Sequence, residues 1–184
     1  MEKMQTRPIP KTGEALPVIG LGTWQAFDIG NNKSARAERT AVLQKLFDAG
    51  GSMIDSSPMY GRAEGVVGDL LTEMQAHDKA FLATKVWIWG EDAGIEQMNE
   101  SFRRFRTDRI DLMQIHNLVD WRTQLRTIRA WKDEGRLRYI GITHYTEAAL
   151  VDLADVIRNE EIDFVQLPYS IGVRDAELEI LPLA

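Results

Sequence analysis

Four side chains capable of acid–base chemistry lie at the ends of short apolar runs or in the loop that follows. Asp55, Lys85 and His116 each lie at, or one residue before, the end of such a run, and Tyr60 follows Asp55 in the next loop. A phenol has a reference pKa of about 10, so alone it is a weak proton donor at neutral pH. A nearby ammonium group favours the phenolate and lowers that pKa. Such a set can protonate a carbonyl oxygen that becomes an alkoxide, which indicates hydride transfer from a cofactor without a nucleophile or a metal ion.

The residue types give each of the four side chains an expected role. Tyr60 is the proton donor, and Lys85 supplies the positive charge that lowers its pKa. Asp55 pairs with Lys85, because a buried lysine is costly without a partner. His116, as a neutral imidazole, is expected to hydrogen-bond the same carbonyl oxygen that Tyr60 protonates. Taken singly, each residue also has an ordinary explanation as a helix cap, a solvated lysine, a turn residue or a core histidine.

Tryptophan is concentrated where a substrate would bind. Four of the five tryptophans come shortly after apolar runs, and we expect them to line the substrate pocket: Trp24, Trp87, Trp89 and Trp121. Trp131 falls on the apolar stripe of a predicted helix and is expected in the core. His77 lies in a polar stretch and is expected at the surface. The arginines between 103 and 109 are read as a solvated helix end rather than an anion site.

Short apolar runs alternate with amphipathic stretches along the chain. The runs are nearly continuously apolar, as parallel strands buried on both faces are. The stretches between them carry apolar residues at helical spacing, such as the stripe formed by Met98, Phe102 and Phe105. A small hairpin is predicted over residues 7–18. The predicted strands are Val18–Gly22, Met53–Asp55, Phe81–Val86, Ile110–His116, Tyr139–Thr143 and Phe164–Leu167.

This alternation predicts an α/β fold with a parallel sheet. An open doubly wound sheet and a closed (β/α)8 barrel compete. Gly20 and Gly22 are followed by Gln25 where a dinucleotide-binding fingerprint needs its third glycine, which disfavours the doubly wound sheet. Polar residues at the carboxyl ends of several strands favour the barrel, whose sites are built there.

Composition excludes several classes of protein. The 184 residues carry a net charge of −6 and no cysteine, so a disulfide scaffold and a cysteine-based zinc site are excluded. The net negative charge differs from the basic surface that nucleic-acid-binding proteins carry, so no nucleic-acid partner is expected. No export signal and no run approaching the ~18 apolar residues of a membrane span are found, so the expected compartment is the cytoplasm and no membrane partner is expected.

The combined motifs resemble those of the aldo/keto reductase family. Six segments carry the resemblance, in the family's order and over nearly the whole chain: IGLGTW (19–24), IDSSPMYG (54–61), LATKVW (82–87), DLMQIHN (111–117), IGITHY (140–145) and FVQLPY (164–169). The family's catalytic tetrad maps onto Asp55, Tyr60, Lys85 and His116. The resemblance implies an oxidoreductase that reduces an aldehyde or a ketone.

The resemblance also implies a nicotinamide cofactor, NADPH or less often NADH. The family's carboxamide contacts correspond here to Thr143, His144 and Gln166, where the family's usual Ser-Asn pair is replaced by Thr-His. The first cofactor-contacting loop corresponds to Gly22, Thr23 and Trp24, and Asp55 completes the set. The partner that the resemblance implies is a small carbonyl compound.

The family barrel has eight strands, whereas about six of the eight βα units are found here. Residues 1–184 are therefore expected to form a single partial barrel domain, C-terminally truncated, with Asp175–Ala184 opening a sixth helix. An incomplete barrel leaves two strand edges open, which favours self-association. The phosphate-binding segments of the family would lie in the missing part.

Three other interpretations remain open. The chain could be a non-catalytic barrel that keeps a cofactor site as a sensor or scaffold. It could be an inactive fragment of the reductase because the barrel is open. A metal-dependent barrel hydrolase is disfavoured, because only three histidines are available as ligands.

Overall fold

Six short parallel strands follow one another in sequence order and curve into an open half-barrel. The computed structural model describes residues 4–184. An antiparallel hairpin, β1 (Thr6–Pro8) and β2 (Ala15–Pro17), precedes the sheet. The sheet strands are β3 (Leu21–Gly22), β4 (Met53–Asp55), β5 (Phe81–Val86), β6 (Ile110–His116), β7 (Leu137–Thr143) and β8 (Phe164–Gln166).

The strand register brings the predicted site residues to one edge of the sheet. Gly22 lies opposite Asp55 across β3 and β4. His116 lies opposite Thr143, which lies opposite Gln166 on the next strand. Because all six strands run in the same direction, these positions share the carboxyl-terminal edge.

Helices cover the outer, convex face of the sheet. Their inward side chains form one core with the strands, for example Leu125 and Ile128 from the fourth helix. Val42 and Val151 are apolar residues of two helices, but they are exposed because each lies about 100° around its helix from a neighbour that packs inward. The helices are α1 (Lys33–Asp48), α2 (Ala63–Met74), α3 (Glu91–Phe105), α4 (Trp121–Asp133), α5 (Leu150–Asn159) and α6 (Ile180–Leu183).

The hairpin covers the amino-terminal end of the half-barrel. Ile9 is buried against Phe81, Leu112 and Tyr139 on the concave face. The hydroxyl oxygens of Thr12 and Tyr139 lie 2.9 Å apart, which ties the hairpin turn to β7. This end of the sheet is closed by packing, so the opposite, carboxyl-terminal edge is the open mouth.

Several element boundaries differ from the predictions. The first sheet strand covers only Leu21–Gly22 of the predicted Val18–Gly22, while β7 begins two residues earlier than predicted. A 3-10 turn precedes α5, and the Thr146 hydroxyl at the start of that turn contacts His144. The predicted last helix is a 3-10 turn followed by the four-residue α6.

His77, predicted at the surface, is half-buried, and its Nε2 lies 2.9 Å from the Phe105 carbonyl oxygen.

The two outer strands of the sheet have a partner on one side only within residues 4–184. These are β3 and β8. Between them, the concave face encloses a cavity of about 530 Å³ with a mostly apolar lining that includes Met53, Leu112 and Phe164. The open edges expected from the strand count are therefore present. Over the same described range, no helix has the length and apolar character that crossing a membrane would require.

Candidate active site

A buried ion pair forms the floor of the mouth. The Lys85 ammonium donates hydrogen bonds to both carboxylate oxygens of Asp55, each at 2.8 Å, and to the Ser56 carbonyl oxygen at 2.7 Å. The Lys85 side chain is 1% exposed and that of Asp55 18%. Three acceptors match the three N–H donors of a lysine, so the charge of Lys85 is satisfied without water. The expected pairing of Asp55 with Lys85 is present.

Tyr60 lies beside this pair but does not hydrogen-bond to it. The Lys85 Nζ atom is 5.4 Å from the centroid of the Tyr60 ring, and the Tyr60 hydroxyl has no hydrogen-bond partner among residues 4–184. Burial and the negative charge of Asp55 raise the pKa of Tyr60 above its ordinary value. The expectation that Lys85 lowers this pKa is wrong for this arrangement, because the Lys85 charge is neutralised by Asp55. Tyr60 therefore keeps its proton at neutral pH.

Burial also shifts the pKa of Lys85. Desolvation lowers the pKa of Lys85, and the Asp55 carboxylate opposes that shift. Asp55 thus supports the charged form of a lysine that has almost no contact with water.

His116 is held as a neutral imidazole at the same mouth. Its ring meets the Tyr60 ring edge-on, with centroids 6.2 Å apart. Its Nδ1 atom lies 3.2 Å from the Ser57 hydroxyl oxygen. Burial, followed by the positive charge of Lys85, lowers the pKa of His116 to about 4. At neutral pH the ring is uncharged and has one N–H donor.

Three polar residues of the site are absent from the sequence-based set. Ser56 and Ser57 follow Asp55 directly, and both are buried. Gln114 donates from Nε2 to Asp55 Oδ1 at 3.4 Å. Gln114 precedes His116 by two positions on β6, so strand alternation alone could have placed both on one face. The contacts of the two serines depend on the path of the loop, which the sequence pattern does not fix.

The first loop of the mouth divides into a buried and an exposed part. Thr23 is fully buried, and its hydroxyl oxygen lies 2.9 Å from both the Asp55 carbonyl oxygen and Ser56 Oγ. In this structure Thr23 supports the backbone at Asp55 and has no surface with which to contact a cofactor, contrary to expectation. Trp24 is exposed, and its ring centroid is 6.4 Å from that of Tyr60. Gly22 is exposed next to Asp55.

The ends of β7 and β8 carry side chains that can exchange hydrogen bonds with an amide group. Neither the Thr143 hydroxyl nor the Gln166 side-chain amide is engaged in a hydrogen bond within the described chain. The Thr146 backbone N–H donates to His144 Nδ1 at 3.2 Å, and the His144 ring stacks on Tyr145. Because a backbone N–H only donates, Nδ1 is unprotonated, and neutral His144 carries its proton on Nε2.

The four predicted pocket tryptophans do not all meet at the mouth. Trp24 lies near Tyr60, and the Trp87 ring is 6.5 Å from that of His116. Trp89 is 73% exposed and makes no aromatic contact with the site residues. Trp121 packs against the core at the start of α4, with the Arg122 guanidinium 4.2 Å above its ring, so it lines a cleft between α4 and α5 instead.

Comparison with curated proteins finds relatives that align with nearly the whole of this chain. Methylglyoxal reductase YeaE of Escherichia coli strain K12 is 31% identical over 187 residues, which cover 97% of this chain and 64% of the relative. Aldo-keto reductase YhdN of Bacillus subtilis strain 168 is 29% identical, over 98% of this chain and 58% of the relative. This chain therefore spans about three fifths of the length of these relatives.

Solved structures give the same result for the fold. An aldo-keto reductase from Klebsiella pneumoniae in complex with NADPH superposes with a TM-score of 0.79 at 26% identity, over 99% of this chain and 64% of that one. The predicted partial barrel and the predicted family resemblance are both confirmed. The model of the aldo/keto reductase family matches residues 18–184, and the chain belongs to that family.

Proposed function

We propose that the chain carries the proton-donating site of an NADPH-dependent reductase of aldehydes or ketones, with Tyr60 as the proton donor. The observation that carries the proposal is the position of Tyr60, between the buried Lys85–Asp55 pair and the neutral ring of His116. The relatedness to a methylglyoxal reductase supports a small carbonyl compound as substrate.

The chain's own residues divide the work of proton transfer. Tyr60 enters the reaction protonated, because burial and Asp55 raise its pKa. Its O–H bond breaks as the proton passes to the carbonyl oxygen, and a phenolate is left. The Lys85 ammonium, with its Nζ atom 5.4 Å from the ring centroid, offsets part of the repulsion between this phenolate and the Asp55 carboxylate. Asp55 keeps Lys85 charged, and His116 hydrogen-bonds the carbonyl oxygen and orients it.

The donor set at the ends of β7 and β8 fits a nicotinamide carboxamide. Thr143 and Gln166 bring side-chain groups without partners in the described chain, and His144 brings an Nε2–H donor. A carboxamide needs both donors and acceptors, which these three side chains together provide. When bound, the cofactor supplies the hydride for the carbonyl carbon. Trp24 and Gly22 border the mouth and would flank the bound group.

Turnover and binding measured on the same preparation test this proposal. Purified chain is given NADPH and methylglyoxal, and carbonyl-dependent loss of NADPH absorbance is followed. NADPH binding is titrated separately by tryptophan fluorescence, since Trp24 and Trp87 lie at the mouth. We expect saturable, protein-dependent consumption of NADPH. Binding of NADPH without turnover of any small aldehyde would contradict the proposal and favour a sensor or scaffold.

A further inference from the structure

We propose that Ser57 is a positioning residue that holds His116 in the tautomer with its proton on Nε2. The proposal gives His116 a defined direction of hydrogen bonding: Nδ1 accepts from Ser57, and Nε2 donates into the mouth. Its consequence for catalysis rests on the proposed reductase function, whereas the tautomer itself does not.

The Ser57 hydroxyl has two hydrogen-bond contacts within the described residues. Ser57 is 1% exposed, and its Oγ accepts a hydrogen bond from the Met59 backbone N–H at 3.3 Å. The other contact of Oγ is His116 Nδ1, at 3.2 Å. No further acceptor for the hydroxyl proton lies within hydrogen-bond distance among residues 4–184.

The two neutral tautomers of His116 differ in how well they satisfy this hydroxyl. With the proton on Nε2, the Ser57 hydroxyl donates to Nδ1 and accepts from Met59, and every group is paired. With the proton on Nδ1, the ring and the Met59 N–H both donate to Oγ, and the buried hydroxyl proton has no acceptor. A buried unsatisfied donor carries a penalty that favours the first tautomer by about tenfold to a hundredfold.

The favoured tautomer is the one that helps a carbonyl substrate. The ring of His116 adjoins Tyr60 and Trp87 at the mouth. A protonated Nε2 donates to a carbonyl oxygen, whereas an unprotonated Nε2 presents a lone pair that repels it. The neutral state of His116 makes the choice of tautomer matter, because a charged imidazole would donate from both nitrogens.

Imidazole nitrogen NMR tests the tautomer directly. The chain has three histidines, so loss of one set of ring signals in His116→Gln assigns His116. Long-range nitrogen–proton spectra at neutral pH then compare the unsubstituted chain with Ser57→Ala and with Ser57→Thr, which keeps the hydroxyl. Ser56→Ala is the matched control, because Ser56 is an adjacent buried serine whose hydroxyl contacts Thr23 rather than His116.

We expect the Nε2–H pattern alone in the unsubstituted chain, in Ser57→Thr and in Ser56→Ala. Ser57→Ala should show a clear admixture of the Nδ1–H form and, because about half of the rings would then lack the Nε2–H donor, about a twofold lower kcat/KM for the carbonyl substrate. An Nδ1–H pattern in the unsubstituted chain, or a Ser57→Ala spectrum identical to that of Ser56→Ala, would overturn the proposal. Absence of turnover in every variant would count against the reductase function and leave the spectral result to decide the tautomer.

Discussion

Replacing Lys85 by Met tests the buried ion pair with little change in side-chain length. The substitution removes all three hydrogen bonds of the ammonium, two to Asp55 at 2.8 Å and one to the Ser56 carbonyl oxygen at 2.7 Å. It leaves the Asp55 carboxylate without its counter-charge, with Gln114 as its remaining partner.

The cost in free energy of unfolding follows from the burial of the two partners. Removing one member of a buried pair typically costs about 3–5 kcal/mol. The Asp55 side chain keeps 18% exposure and the Gln114 contact, so we expect a loss near the lower end, about 3 kcal/mol. Replacing both partners by apolar residues, as Asp55→Leu with Lys85→Met, removes both buried charges and should cost about 1 kcal/mol or less.

Urea unfolding followed by circular dichroism at neutral pH gives the free energies. Lys79→Met is the matched control, because Lys79 is an exposed lysine in a 3-10 turn and its loss should stay within about 0.5 kcal/mol. A Lys85→Met loss no larger than that of the control would contradict this prediction. So would a double variant less stable than either single variant, because the pair would then stabilise the fold outright.

Three further predictions concern packing, pH and association. Gly68→Ala should destabilise the protein by about 1–3 kcal/mol, because the added Cβ would lie 2.1 Å from the Arg104 carbonyl oxygen. The matched control is Gly65→Ala in the same helix, whose added Cβ meets nothing within 4 Å and which should stabilise the protein by about 0.5–1 kcal/mol. Equal changes in the free energy of unfolding in urea would contradict this packing. The folded pKa of His116, about 4, lies below its ordinary value, so the unfolded chain binds the extra proton between pH 6.5 and 4 and stability falls as pH falls through that window. Because the ring is partly exposed, we expect the free energy of unfolding to fall by only about 1–2 kcal/mol over that window, and His116→Gln should lack this fall. A His116→Gln variant with the same pH dependence as the unsubstituted chain would contradict the prediction. The open edges of β3 and β8 should make the chain self-associate as its concentration rises, and light scattering from a single monomeric species at all concentrations would show otherwise.

The sequence pattern was sufficient for the strand ends and for the residues that they carry. Asp55, Lys85 and His116 could be placed at one mouth because parallel buried strands have a recognisable composition and all end at the same edge. The pairing of Asp55 with Lys85 followed because a buried ammonium needs a partner.

The electrostatics of Tyr60 could not be read from the same pattern. Sequence spacing indicated that a lysine and an aspartate lie near the phenol, but not which charge would be neutralised by the other. In the structure Lys85 directs its N–H groups to Asp55 and Ser56, so burial and the carboxylate dominate the environment of Tyr60.

Loop paths account for the remaining differences. Asn117, Leu118 and Asp120 have left-handed backbone conformations, and this tight turn starts α4 so that Trp121 packs on the core instead of facing the mouth. The contact between Ser57 and His116 likewise depends on how the loop after β4 folds back. Non-glycine residues in the left-handed region have only a weak sequence signature, so neither turn could be anticipated.

The most direct test of the central claim is the kcat of carbonyl reduction in Tyr60→Phe compared with the unsubstituted chain at saturating NADPH. The substitution removes only the hydroxyl and keeps the ring that contacts Trp24 and His116, so cofactor binding should be unchanged. General acids typically contribute about 10²–10⁴-fold, and we predict a fall in kcat within that range. A variant that binds NADPH normally and retains more than about a tenth of the kcat would contradict the assignment of Tyr60 as the proton donor.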